Sequence, residues 1–139
     1  MFGIILSCAL SIPVSVDSMA EYISCRDTQR KVEFVSQWTP LISMYFDNNE
    51  DRIKALTIIY CESRGKDSAV GINKDGTRDV GLWQFNDNTW AWLTPKLNIK
   101  NDRYDPWTST AVASWLVYND GWHHWNSSKH CWGKVSYDK

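Results

Sequence analysis

Apolar positions along this chain change period several times, and each change marks an element. Ile53, Leu56 and Tyr60 recur at helical spacing, with Ala55 and Ile59 beside them. Asp47-Asn48-Asn49-Glu50 supplies helix-start residues before them, and Gly65 supplies a stop. A helix is predicted between those signals, with Glu62 in its last turn. The pattern then shortens. Val70–Lys74 and Thr77–Trp83 flank Asp75-Gly76, which reads as a two-residue hairpin turn and puts Asp79 on the returning strand. A second helix is expected near Asp87, carrying Trp90 and Leu93 and ending before Pro95. Asp105-Pro106 is an N-cap with proline at the first helical position. The helix it opens carries Val112, Trp115 and Leu116 on one side, runs to about Asn119 and stops at Gly121. Residues 21–46 are mixed amphipathic and helical, with a break at Pro40. There is no internal repeat and no low-complexity linker. Helices with one small hairpin give an α+β class in a single domain over residues 21–139.

The first twenty residues stand apart. Phe2 to Val16 is apolar without Lys or Arg, and Ser18-Met19-Ala20 offers small residues at a cleavage spacing. The segment reads as a signal peptide, residues 1–20, or as a buried or frayed N-terminal segment. It is too short, and too broken by Pro13, to span a bilayer.

Composition narrows the function classes. A chain of 139 residues holds one small domain with a real core. Net charge is −1, so no nucleic-acid partner is expected. Nine tryptophans exceed what such a core needs. Most are expected in the core, with two or three lining a groove, because indole faces also stack on sugar rings. Four cysteines fit an oxidising, secreted or exported setting, and no CxxC spacing argues for zinc. His123, His124 and His130 are joined by no evident carboxylate cluster, so neither a metal nor another cofactor is expected. No nucleotide or hydrolase fingerprint is present.

Glu62 and Asp79 carry the chemistry. An element ending in one carboxylate is followed by a hairpin that returns a second. Two carboxyl groups across a groove suit glycosidic-bond cleavage, where one protonates the leaving oxygen and the other supports or attacks the sugar's positive charge. The helix C-terminus and apolar neighbours both disfavour ionised Glu62. Taken singly, Glu62 reads as a solvated helix-end acid and Asp79 as a turn acid. The amides Gln84 and Asn86 suit sugar hydroxyls and N-acetyl groups, although Asn86 alone reads as a cap.

Glu62-Ser63, Ala69, Asn73, Asp75-Gly76, Asp79, Gly81, Gln84 and Asn86 together resemble the catalytic segment of the c-type lysozymes, without a gap. Cys61-Glu62-Ser63, the Leu82-Trp83-Gln84-Phe85 tract and Thr89-Trp90 are similar to the resuscitation-promoting factors. Gly81-Leu82-Trp83-Gln84 and Tyr118-Asn119-Asp120-Gly121 resemble the soluble lytic transglycosylases (SLT), whose tyrosine in that motif lines the sugar site. Trp122 and Trp125, followed by Cys131, resemble the C-terminal Trp-x-x-Trp and Cys of c-type lysozymes. The resemblance covers roughly residues 50–133. Four cysteines fall short of the c-type bridge set, and Arg78 replaces a small polar residue beside Asp79.

The resemblance implies a lysozyme-like fold, with a helical lobe, a small β-hairpin lobe and a groove between them. It implies a monomeric enzyme acting on peptidoglycan glycan strands. Glu62 would be the general acid and Asp79 the nucleophile or electrostatic stabiliser. Asn73, Gln84, Asn86, Tyr118 and Trp122 would bind substrate, with Trp122 keeping Glu62 dry. Cys61 and Cys131 would form a disulfide. Cys8 would be lost with a signal, leaving Cys25 unpaired or bound elsewhere. Asp79 favours a hydrolase (a lysozyme), whereas the Tyr118 motif favours a lytic transglycosylase. A catalytically silent glycan-binding module is the reading from another class.

Overall fold

A computed structural model describes residues 6–133. Six α-helices, two 3-10 segments and one small sheet make up these residues. Helix α1 (Val16–Phe34) starts at a Ser15 capping box. A 3-10 segment (Ser36–Trp38) leads into α2 (Thr39–Tyr45). The expected break at Pro40 is the start of α2, where a proline lacks no needed N–H.

Helix α3 (Asn49–Ser63) is capped by Asn48, whose side chain accepts from the Asp51 N–H at 2.8 Å. It ends where Arg64 turns left-handed, at φ 55°, with Gly65 following at φ 78°. Ile53, Ala55, Leu56, Ile58 and Ile59 are buried, so this helix is wrapped by the others rather than laid on one face.

Strands β1 (Val70–Ile72), β2 (Arg78–Val80) and β3 (Phe85–Asn86) form an antiparallel sheet in that order. The hairpin is present, but its loop has three residues. Asn73 O accepts from the Gly76 N–H, and only Gly76 has positive φ, at 86°. Asp75 keeps negative φ, and its carboxylate accepts from the Thr77 N–H and hydroxyl. A turn of this kind ends in a left-handed glycine that returns the chain. The β2–β3 connection turns at Gly81, whose φ is 87°. A Cβ there would stand 2.3 Å from the Arg103 carbonyl, so no other residue fits.

Helix α4 (Asp87–Lys96) includes Pro95, against the expectation that it ends earlier. The missing N–H falls in the last turn, opposite the exposed Ala91, whose carbonyl water can reach. Helix α5 (Pro106–Asp120) is capped by Asp105 and ended by Gly121, as the sequence predicts. A 3-10 segment (Trp122–Ser128) and α6 (Lys129–Trp132) follow.

The core forms around Phe46 and Trp83. Phe46 lies between Trp83 and Trp122, with ring centroids 5.9 and 5.8 Å away. The Trp83 N–H donates to Thr110 Oγ1, and the Trp125 N–H donates to the Trp83 carbonyl. These partners let indoles be buried with their polar edge satisfied. Trp83, Trp125 and Trp132 are buried, four more pack partly buried against the core, and Trp92 and Trp107 are exposed.

Two disulfides close the fold. Cys61 and Cys131 are joined with Cα atoms 5.9 Å apart. Cys8 and Cys25 are joined as well, which corrects the expectation of an unpaired Cys25. The second bridge belongs to a small cluster in which Leu6, Cys25 and Ile53 are buried together. Ser18-Met19-Ala20 falls in the first turns of α1. Among the described residues no helix is long and apolar enough to cross a membrane.

Candidate active site

Glu62 and Asp79 line one cavity of about 190 Å³ between the helical lobe and the sheet. Glu62 arrives on the last turn of α3. Its neighbours on both sides are tied down. Cys61 is bridged to α6, and the Ser63 hydroxyl donates to the Leu82 carbonyl at 2.8 Å. The bridge draws the 3-10 segment over α3, so that Ser128 reaches Glu62 and Trp125 walls the cavity. Burial pushes the Glu62 carboxyl up to about 7. The Ser128 hydrogen bond opposes this, and the charge of Asp79 adds to it.

Asp79 sits on the middle strand. Its register partners are Gly71 on β1 and Asn86 on β3. Asn73 and Asn86 each donate a side-chain N–H to Asp79 Oδ1, at 3.1 and 2.9 Å. Both amides also meet Thr77 Oγ1, which in turn donates to Asp75. The hairpin is thus a scaffold that aims one carboxylate. Arg78 does not pair with Asp79. Its guanidinium lies 3.9 Å from Asp87, and Arg103 binds the same carboxylate at 2.7 Å. The Arg78 backbone N–H, first, and then these cations hold the Asp87 carboxyl below the usual range.

The other expected site residues divide. Gln84 and Asn86 line the cavity. Gln84 is left-handed, at φ 51°, and its amide N–H groups are held by the Ala69 and Gly81 carbonyls. Asn73 stands outside the lining and acts on Asp79 instead. Tyr118 also stands outside it. Its hydroxyl donates to Asp51 and accepts from the Asp47 N–H, and burial raises its pKa to about 12. Trp122 packs on Phe46 with Lys54 over its ring, so the indole beside Glu62 is Trp125. Trp125 lines this cavity, and Trp107 and Trp115 line a separate groove.

The sequence reading missed Thr89, His124, Ser127 and Ser128 at the cavity. It also gave the histidines no carboxylate partner, whereas Asp120 joins His123 and His124. A larger groove of about 470 Å³ runs between Tyr45, Ile99, Trp107 and Trp115. Its one carboxylate, Asp105, is engaged in capping α5, so that groove lacks a facing pair of acids.

Comparison with protein families matches the model described as the Transglycosylase SLT domain to residues 46–125, more than half of the chain. The chain belongs to that family. Comparison with curated proteins and with solved structures gives no match. The SLT match runs from the end of α2 to Trp125. It spans Glu62, the hairpin, Asp79 and the cavity wall as far as His124 and Trp125. The fold is therefore that of the lysozyme-like superfamily, and an SLT domain acts on peptidoglycan. Glu62 in a dry setting and Asp79 in a hydrogen-bonded one give this SLT domain two carboxylates of unlike character.

Proposed function

We propose that the chain is an exported muralytic glycoside hydrolase of lysozyme type. It cleaves the β-1,4 bond between N-acetylmuramic acid and N-acetylglucosamine in peptidoglycan. The observation that carries this reading is Asp79. Its carboxylate shares the cavity with Glu62, is aimed by two amides and has no ion pair among the described residues.

The steps follow from those positions. Glu62, protonated, gives its proton to the glycosidic oxygen as the C1–O bond breaks. Asp79 meets the developing oxocarbenium charge on the other side, by attack on C1 or by electrostatic support. Glu62, now a carboxylate, removes a proton from the incoming water, whose oxygen bonds to C1 as the C1–Asp79 bond, where one has formed, breaks and returns Asp79 to its carboxylate. Gln84 and Asn86 line the path of the sugar, and Trp125 helps exclude water near Glu62. Two disulfides suit an oxidising exterior.

Membership of the SLT family favours a second reading. A lytic transglycosylase would use Glu62 alone as acid and then base, and the muramic C6 hydroxyl would attack C1 in place of water. Mass spectrometry of digested peptidoglycan separates the two. Hydrolysis leaves reducing muramic ends, transglycosylation leaves 1,6-anhydro ends lighter by one water, and a silent binding module leaves the strands intact. Reducing ends are expected; anhydro ends overturn the hydrolase reading.

A further inference from the structure

We propose that Asp120, His123 and His124 together bind a borderline divalent transition-metal ion, with Zn²⁺ the best fit. The donor set decides the class of ion. Two imidazole nitrogens and one carboxylate oxygen suit zinc, whereas calcium and magnesium take oxygen ligands.

The backbone brings the three donors together. Asp120 closes α5, and Gly121 turns the chain at φ 95°. The 3-10 segment then returns the third and fourth residues toward Asp120. His123 Nε2 and His124 Nε2 lie 3.0 and 2.7 Å from the same oxygen, Asp120 Oδ2. One ligand atom from each residue falls within 4.8 Å of the others. Tetrahedral zinc, with bonds near 2.0–2.1 Å, separates its ligands by about 3.3 Å. Asp120 is exposed, and its distances to the two imidazole nitrogens lie within roughly half an ångström of that spacing.

The site is backed by the core rather than built on a free loop. The two imidazole centroids are 4.3 Å apart, and the His124 ring stands against Trp125 at 6.1 Å. Trp125 is buried, and its N–H is fixed on the Trp83 carbonyl. Asp120 and His123 face solvent, so the fourth position is open to water or to a ligand atom. His124 also lines the cavity that holds Glu62 and Asp79, which sets the ion at the edge of the groove.

The test reads binding and does not depend on turnover. The full chain, free of any affinity tag, is titrated with Zn²⁺ at neutral pH by calorimetry, and with Ca²⁺ alongside. One Zn²⁺ per chain and no Ca²⁺ are expected. His123→Ala and Asp120→Asn should each weaken Zn²⁺ by more than the roughly 10–100-fold that loss of an outer-shell partner costs. Asp79→Asn should leave the affinity unchanged. A readout without variants comes from the imidazole ¹⁵N shifts. Zn²⁺ should move His123 and His124 and leave His130, the remaining histidine of the chain, in place. Wild-type affinity in His123→Ala, loss of Zn²⁺ in Asp79→Asn, or an unmoved His123 overturns the proposal.

Discussion

The Ser63 hydroxyl donates to the Leu82 carbonyl at 2.8 Å, one residue beyond Glu62 and across the two lobes. The same oxygen accepts from the Gly65 N–H at 3.2 Å. One small side chain thus sets where the catalytic helix ends and how the sheet lies against it. Ser63→Ala strands a buried carbonyl and a buried N–H. The expected cost is about 1–3 kcal/mol in urea unfolding. Turnover should fall as well, because Glu62 and Asp79 sit on opposite sides of this tie. A variant as stable and active as the parent would show that packing alone aligns the lobes.

Glu62 links activity and stability to pH in one direction. Its folded carboxyl titrates near 7, against 4.5 ordinarily, chiefly through burial. As general acid it must be protonated, so kcat/KM should fall as pH rises through about 7. Between pH 4.5 and 7 the folded state holds the proton more tightly than the unfolded chain. Stability contributed by this group therefore declines across that window, and the deficit persists above it. Glu62→Gln should abolish turnover, yet melt higher than the parent above neutrality, with the gap closing in acid. Equal melting at alkaline pH would mean that ionised Glu62 is not strained in the fold.

Asn86 serves two elements, which allows its roles to be parted. Its Oδ1 accepts from the Asn88 N–H and caps α4, while its Nδ2 donates to Asp79. Asn86→Asp keeps a capping oxygen but removes the donor and sets a like charge beside Asp79. The capping contribution to stability should change by less than about 1 kcal/mol, so any larger loss comes from the like charge beside Asp79. The kcat should fall tenfold or more, with KM little moved, because one bond aiming the carboxylate is gone. If KM rises and kcat holds, Asn86 is a sugar contact, as the sequence pattern first suggests.

The two disulfides differ in reach. Cys61–Cys131 spans 70 positions and Cys8–Cys25 spans 17. Chain entropy puts their contributions at about 4 and about 3 kcal/mol. Function should separate them further. Replacing both Cys61 and Cys131 with alanine frees the segment that carries Ser128 and Trp125, so activity should drop beyond the stability loss. Replacing Cys8 and Cys25 should cost stability alone, since that bridge joins α1 to the small cluster around Leu6 and Ile53. Chemical denaturation and turnover measured on both pairs test the contrast.

What could be read from the sequence was local chemistry. Asn48, Asp105-Pro106, Gly121 and the Asp75-Gly76 hairpin act within a few residues of themselves, so they announce their elements. Glu62 and Asp79 follow from the same elements and from the resemblance around them. What could not be read depends on contacts between distant positions. Tyr118 is claimed by Asp51 and the Asp47 N–H. Trp122 and Trp125 share one motif, and only the turn of the 3-10 segment decides which faces Glu62. Arg78 neighbours Asp79 in sequence, but on a strand their side chains point to opposite faces.

Asp79 decides the reaction class, and its substitution is the sharpest test. Asp79→Asn keeps the size of the side chain and the strand. It removes the charge that supports the sugar cation and the atom that could attack it. As a hydrolase, the enzyme should lose roughly 10²–10³-fold in kcat, the scale of deleting one preorganised electrostatic contact. Glu62 should respond too. The Asp79 charge helps raise its pKa, so the pH at which residual activity falls should shift downward. A transglycosylase predicts otherwise, because its nucleophile is the substrate's own C6 hydroxyl. Asp79→Asn would then retain most activity, and its products would carry 1,6-anhydro-muramic ends. Arg78 and Arg103 do not cloud this test, since both are engaged by Asp87 and neither is paired with Asp79. A retained kcat with anhydro products assigns all of the chemistry to Glu62 and leaves Asp79 to order the hairpin.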